Sequence, residues 1–208
     1  MLKQKIYLVL GIGTDVGKTF LVEKLCRILP SAMAIKPIVS GFRDDDKNSD
    51  PAKILIALGQ RISQKNLDLI SPWRFEKAVS PHLAGKINFL AVKKFCLKKI
   101  FEAKSQNQFL FIEAAGGVMT PIIKKKTFLD LAAELKIPVL LVSANYLGAI
   151  SHTLCAIEAL KSRKILVEKI IINEDLPLVK KASQKSSAAI KNFTKIETIP
   201  LQKFLKKP

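Results

Sequence analysis

Gly17, Lys18 and Thr19 stand where a chain can grip phosphate. They close the segment 11–19, Gly-Ile-Gly-Thr-Asp-Val-Gly-Lys-Thr, which follows the apolar run from Ile6 to Leu10. Glycines let consecutive backbone N–H groups close around phosphate oxygens, and a helix starting there adds its dipole. Lys18 can reach the outer phosphates of a nucleoside triphosphate, and the Thr19 hydroxyl can ligate Mg²⁺. The usual spacing, G-x-x-x-x-G-K-[ST], wants glycine where this chain has Ile12, with Gly11 and Gly13 on either side. The bland alternative is a turn that merely joins a strand to a helix. The apolar strand before the segment and the helical pattern after it are the context that the phosphate loop requires.

More chemistry-bearing residues lie downstream, most of them just after an apolar run. Lys36-Pro37-Ile38-Val39-Ser40-Gly41 follows a short strand-like stretch, Ala32 to Pro37. A lysine at a strand end beside a phosphate loop can offset charge that develops in phosphoryl transfer; the alternative is one more surface lysine. Asp50, in Asn48-Ser49-Asp50, opens a helix with Pro51 behind it. It reads as an N-cap, as a Mg²⁺ ligand, or as both. Phe109-Leu110-Phe111-Ile112 runs into Glu113-Ala114-Ala115-Gly116-Gly117. An acid at the end of a buried strand is costly unless partnered, so Thr19, Asp50 and Glu113 are candidate oxygen ligands of one Mg²⁺. Gly148-Ala149-Ile150-Ser151-His152 opens a helix, a further candidate anion site. Asn173 follows the next strand and can read an adenine edge. His82 and His152 read more simply as packing or helix-start residues than as catalysts.

The elements that must position these residues alternate in type. Strands are predicted at residues 5–11, 32–37, 109–113, 138–142, 169–172 and 195–199. Helices are predicted at 17–29, from Asp50, at 88–104, 128–136, 149–162 and 178–191, while residues 61–87 read as irregular. Alternating βαβ units predict an α/β fold, a mostly parallel sheet with helices on both faces, of the P-loop NTPase type. In such sheets ligands bind beyond the carboxyl ends of the strands, where the residues above fall. One domain over 1–208 accommodates all of them, and 49% hydrophobic residues suffice for a core.

Composition narrows the function. No apolar run reaches the roughly 18–20 residues that cross a bilayer. The basic N-terminus is broken by glycines too early for a secretory leader. Cys26, Cys96 and Cys155 lie far apart in helical patterns and read as buried thiols in a reducing cytoplasm. The net charge of +18 raises a nucleic-acid partner. The lysines are spread along the chain without interleaved aromatics, however, so the charge argues for solvated faces and for attraction of anionic substrates such as ATP.

Taken together the segments 11–19, 36–41, 48–50, 80–82 (Ser-Pro-His), 113–117 and 147–152, with Asn173, resemble the dethiobiotin synthetase family, in the family's order and over about four fifths of the chain. The resemblance implies a homodimeric, ATP- and Mg²⁺-dependent ligase of biotin biosynthesis that carboxylates 7,8-diaminopelargonic acid with CO₂ and closes a ureido ring. It implies that Asp15, Val16, Gly17, Lys18, Thr19 and Phe20 hold the triphosphate, with Asp50, Glu113, Ala114, Ala115 and Gly116 beside the nucleotide. Thr19, Asp50 and Glu113 would bind Mg²⁺, while Thr14, Lys18, Lys36 and Ser40 would face the diamine and its carbamate. Lys36 and Lys18 would be the catalytic cations. Gly148, Ile150 and Ser151 would receive the substrate carboxylate across the dimer interface, and Asn173 and Pro200 would contact adenine. A P-loop ATPase switch of the partitioning type, binding DNA or a protein partner, is the alternative. Against it, the loop lacks an early lysine and Lys-Pro-x-x-Ser-Gly has no role there. Amidoligase-like enzymes carry a glutaminase domain for which this chain has no spare length.

Overall fold

The computed structural model describes residues 1–43, 46–174 and 183–208, with side chains from 186 onward in the last stretch. In chain order the elements are β1 (Ile6–Gly11), α1 (Lys18–Ile28), β2 (Met33–Ile35), β3 (Ile38–Ser40), α2 (Asp50–Ala57), α3 (Gln64–Ile70), β4 (Trp73–Phe75), α4 (Pro81–Ala84) and α5 (Phe89–Ser105). There follow β5 (Leu110–Gly117), β6 (Pro121–Ile123), β7 (Lys126–Thr127), α6 (Phe128–Leu135), β8 (Val139–Ala144), α7 (Ala149–Ser162), β9 (Val167–Asn173), α8 (Ser183–Thr194), β10 (Thr198–Pro200) and α9 (Leu201–Leu205).

Six strands form one sheet in the order β10-β9-β8-β1-β5-β2, and every neighbouring pair is parallel. All six residues of β1 and all six of β8 are buried. Side chains alternate faces along a strand, so both faces of the sheet are covered, which requires helices on each side. The apolar runs IYLVL and VLLV meet that demand by being continuous rather than alternating. The buried cluster extends from Ile6 through Tyr7, Leu8, Phe111 and Leu141 to Phe204.

This topology fixes where chemistry can occur. The chain leaves β1 toward β5 and β2 on one side, and later returns to β8, β9 and β10 on the other. The crevice at that reversal, beyond the carboxyl ends of β1 and its neighbours, is where ligands bind in open parallel sheets. The loop 12–17 lies there, and its Ile12 N–H donates to the Val142 carbonyl of β8 at 3.0 Å.

The structure corrects several expectations. Residues 61–87 are not irregular: they hold α3, β4 and α4. Each is seven residues or fewer, too short to display a period, and Ser71-Pro72 and Ser80-Pro81 mask the boundaries. This segment fixes Lys36, whose N–H donates to the Ile70 carbonyl at 3.1 Å. The Ser71 hydroxyl donates to the Lys36 carbonyl. The second predicted strand is only Met33–Ile35, and a separate two-stranded sheet pairs β3 with β4. The cap of α2 is Ser49, not Asp50, which is the first helical residue. Cys155 is exposed, unlike Cys26 and Cys96; the buried stripe of α7 is Thr153, Ala156, Ile157 and Leu160, and Cys155 faces away from it. Residues 178–182 of the predicted 178–191 helix lie outside the described residues.

Candidate active site

The phosphate loop takes shape because β1 ends at Gly11 and α1 begins at Lys18. Gly17 caps the helix in the left-handed conformation, φ 101°, which a Cβ disfavours. A Cβ there would also lie 2.4 Å from Asn173 Nδ2. That amide donates to the Val16 carbonyl at 3.3 Å, tying the end of β9 to the loop. Lys18 Nζ lies back over the loop and donates to the Gly13 carbonyl at 2.7 Å. Burial, with Lys36 close by, pulls the Lys18 ammonium down to about 8.

Lys36 leaves β2 into the same crevice. Its Nζ donates to Asp50 Oδ2, to Glu113 Oε1 at 2.7 Å and to Thr19 Oγ1 at 3.4 Å. Thr19 Oγ1 itself donates to Glu113 Oε1 at 2.6 Å. The Glu113 side chain is fully buried, and its Oε2 has no hydrogen-bond partner among the described residues. Burial works against the Lys36 charge, but the Glu113 and Asp50 carboxylates outweigh it and hold the ammonium above its ordinary pKa. Burial likewise works against the Asp50 carboxylate, and the Lys36 charge outweighs it to hold that carboxyl below the usual range.

Three oxygens from three separate elements therefore converge on one cationic atom. They are a hydroxyl and two carboxylates, the hard donor set that suits Mg²⁺, and one carboxylate oxygen still has unused acceptor capacity. The residues present fit a small divalent cation. Among the described residues no group of three or more His, Cys, Asp or Glu gathers to hold a metal, so remaining ligands would come from phosphate and water.

A cavity of about 600 Å³ opens over these groups. Thr14, Asp15, Gly17, Lys18, Thr19, Phe20, Lys36, Ser40, Asp50, Glu113, Ala115 and Gly116, all singled out in the sequence, line it. Val16 and Ala114 do not, their side chains being buried in the core at 3% and 0% exposure. Gly148, Ile150 and Ser151 sit apart at the start of α7. A second hollow of about 540 Å³ borders that helix and shares Thr14, Thr120 and Pro121 with the first. Asn173 and Pro200 lie across β1 from Lys36, at the ends of β9 and β10.

Sequence reasoning missed Val39, Ala78, Val79, Ser80, Pro81, Thr120 and Pro121 as lining residues. Ser80 and Pro81 carried a signal, as part of Ser-Pro-His. Thr120 carried none: its hydroxyl accepts from the Gly117 N–H at 2.8 Å, a contact that spacing does not reveal.

The glycine loop on a parallel sheet, with a lysine and a threonine opening α1, defines a P-loop nucleotide-binding protein. A family model described as "AAA domain" matches residues 5–201. The MinC:MinD cell division protein complex of Aquifex aeolicus superposes with a TM-score of 0.55 at 16% identity, covering 95% of this chain and 81% of that one; this likeness shows the fold. In sequence, the chain is 38% identical over 176 residues to the ATP-dependent dethiobiotin synthetase BioD of Phenylobacterium zucineum (strain HLK1), covering 81% of this chain and 75% of the relative. It is also 38% identical over 178 residues to the protein of that name from Legionella pneumophila (strain Paris), covering 81% and 80%. The chain belongs to the ATP-dependent dethiobiotin synthetase family, whose members are ligases.

Proposed function

We propose that this protein carboxylates 7,8-diaminopelargonic acid with CO₂ and closes the ureido ring of dethiobiotin at the expense of ATP, in biotin biosynthesis. The observation that carries the reading is Lys36. Its ammonium, buried at the end of β2, meets Thr19, Asp50 and Glu113 inside the cavity that holds the phosphate loop.

The reaction needs no protein nucleophile. One substrate amine captures CO₂ as a carbamate. A carbamate oxygen attacks the γ-phosphorus, ADP leaves, and a carbamic–phosphoric anhydride results. The second amine attacks the carbamate carbon and expels phosphate, closing the ring. Tethering of that amine to its target converts the last step into an intramolecular one. The loop backbone and Lys18 bind the triphosphate, while Lys36 offsets charge on the transferring phosphoryl group and on the carbamate. Thr19, Asp50 and Glu113 would hold Mg²⁺, which supplies charge neutralisation at the phosphates when bound. Thr14 and Ser40, both on the cavity wall, face the diamine.

A nucleotide with its phosphates over β1 has its base toward β9 and β10, which brings Asn173 and Pro200 to the adenine. The substrate carboxylate goes to the N–H groups opening α7, at Gly148, Ile150 and Ser151 of a second copy in a homodimer. Among the described residues no helix is long and apolar enough to cross a membrane; small molecules and a second copy are the partners this reading needs.

The test is purified protein with diamine, bicarbonate, Mg²⁺ and each nucleotide in turn, with product followed by mass. Ureido product formed with ATP supports the reading. Hydrolysis of ATP that ignores the diamine and rises with DNA would contradict it.

A further inference from the structure

We propose that the Lys36 ammonium is a tethered substitute for the divalent cation: it occupies the metal position in the nucleotide-free protein and leaves it when a metal–nucleotide complex enters. This rests on the reading of Thr19, Asp50 and Glu113 as metal ligands. The geometry is that of an ion in a coordination site. A single Nζ contacts one oxygen of each of the three residues, and the lysine side chain is only 7% exposed. A lysine whose sole task was to meet substrate would not need its Nζ engaged with two carboxylates and a hydroxyl.

Charge explains the arrangement. Asp50 and Glu113 bring two negative charges to one point. Without a counter-ion they repel, and the buried Glu113 has nothing to offset its desolvation. Lys36 and Lys18 restore local balance before any ligand arrives. With a metal–triphosphate complex bound, Asp50 and Glu113 would face the divalent ion, and Lys36 would be released to the phosphates beside Lys18. Lys36 thus becomes available to the transferring group only once the metal is in place.

An intramolecular ammonium competes at high effective concentration. Free divalent ions should therefore bind the nucleotide-free protein weakly, which keeps the site from being filled without its nucleotide.

The test uses Mn²⁺ as the probe, followed by electron paramagnetic resonance, on wild type, Lys36→Met and Lys36→Arg, each with and without ADP. Without nucleotide, Lys36→Met should bind Mn²⁺ at least tenfold more tightly than wild type, and Lys36→Arg should remain weak like wild type. Lys36→Met should also melt lower than wild type in metal-free buffer and recover when Mn²⁺ is added. Equal Mn²⁺ affinity in wild type and Lys36→Met without nucleotide would overturn the proposal while leaving the metal site intact. Absence of Mn²⁺ binding to wild type even with ADP would instead remove the metal site itself, and the proposal with it.

Should Lys36→Met fail to fold with or without Mn²⁺, the wild type decides through lysine ¹⁵N resonances. The Lys36 Nζ signal, assigned by its loss in Lys36→Arg, should be protected from exchange without nucleotide and shift on addition of Mg²⁺ with ADP. A signal that does not move would overturn the proposal.

Discussion

Two glycine-capped helices start beside the same crevice, and they are built differently. At α1 the surrounding side chains converge: Lys18, Lys36, Thr19, Asp50 and Glu113 line one cavity, and most of them touch one another. At α7 they diverge. Leu147 is 97% exposed, Gly148, Ser151 and His152 are exposed, and Ile150 is half-buried. The ordered contact there is Tyr146, whose hydroxyl lies 2.7 Å from His152 Nδ1. The first region gathers its charged groups from one chain. The second leaves Leu147, Ser151 and His152 exposed, and in the function proposed above it is the part that a second copy would complete. Phosphoryl transfer needs many fixed charges, which one core can supply; holding the far end of a flexible substrate needs fewer.

The largest expected effect tests the convergent side. Lys36→Ala should lower kcat by about two to three orders of magnitude, the loss seen when one electrostatic donor is removed from a transition state. Steady-state turnover checks it, and near-normal kcat would take Lys36 out of the chemistry.

The two capping glycines come next, compared directly. Both are left-handed, φ 101° at Gly17 and 97° at Gly148. An alanine Cβ at Gly17 meets Asn173 at 2.4 Å, whereas at Gly148 the nearest atom is a His152 ring carbon at 3.8 Å. Gly17→Ala should therefore cost about 1–3 kcal/mol, and Gly148→Ala only the backbone term of about 1 kcal/mol. Denaturant melts of both variants check this; equal losses would mean that the Asn173 contact yields without cost.

The third prediction probes the divergent side. Ser151→Asp places a negative charge among the N–H groups opening α7. It should raise KM for the diamine about fivefold, an effect of about 1 kcal/mol at a helix terminus, with ATP affinity unchanged. A change in ATP affinity instead would join the two regions into one site.

The smallest effect is graded with pH. Lys18 is pulled from 10.5 to about 8 by burial first and by Lys36 next. Phosphate binding favours the charged form, so above pH 8 the free protein must take up a proton to bind nucleotide. ADP affinity should be level below pH 8 and fall above it, by at most about tenfold per unit. The unfolded chain holds that proton up to about 10.5, so the nucleotide-free protein should gain stability as pH rises from about 8 toward that value. Calorimetric titrations and melts across pH 7–10 check both signs.

How much of this was legible in the sequence differs between the same two regions. The loop 11–19, Lys36 and Glu113 were readable because each follows an apolar run, and Asp50 because Asp-Pro marks a helix start; Glu113 proved to lie within β5, which continues to Gly117. The central strands were readable because β1 and β8, buried on both faces, are unbroken apolar runs. The elements within 61–87 were not, since three short pieces show no period, although α3 pins Lys36. Nor could spacing show that Lys36 bonds to Asp50 and Glu113, because three side chains from distant segments meet only after folding. At α7, Gly148 and Ser151 announced a helix start, but whether anything covers it is a property of an assembly and not of one chain's pattern. Cys155 failed for a related reason: an apolar-looking stretch of helix leaves one side outward.

The route of oxygen offers the most direct test. With ¹⁸O-labelled bicarbonate, diamine and MgATP, mixed and quenched before label exchanges with water, the released phosphate should carry one ¹⁸O, since the carbamate oxygen that attacks phosphorus departs with it. Phosphate that takes its new oxygen from water, with none from bicarbonate, would contradict the account.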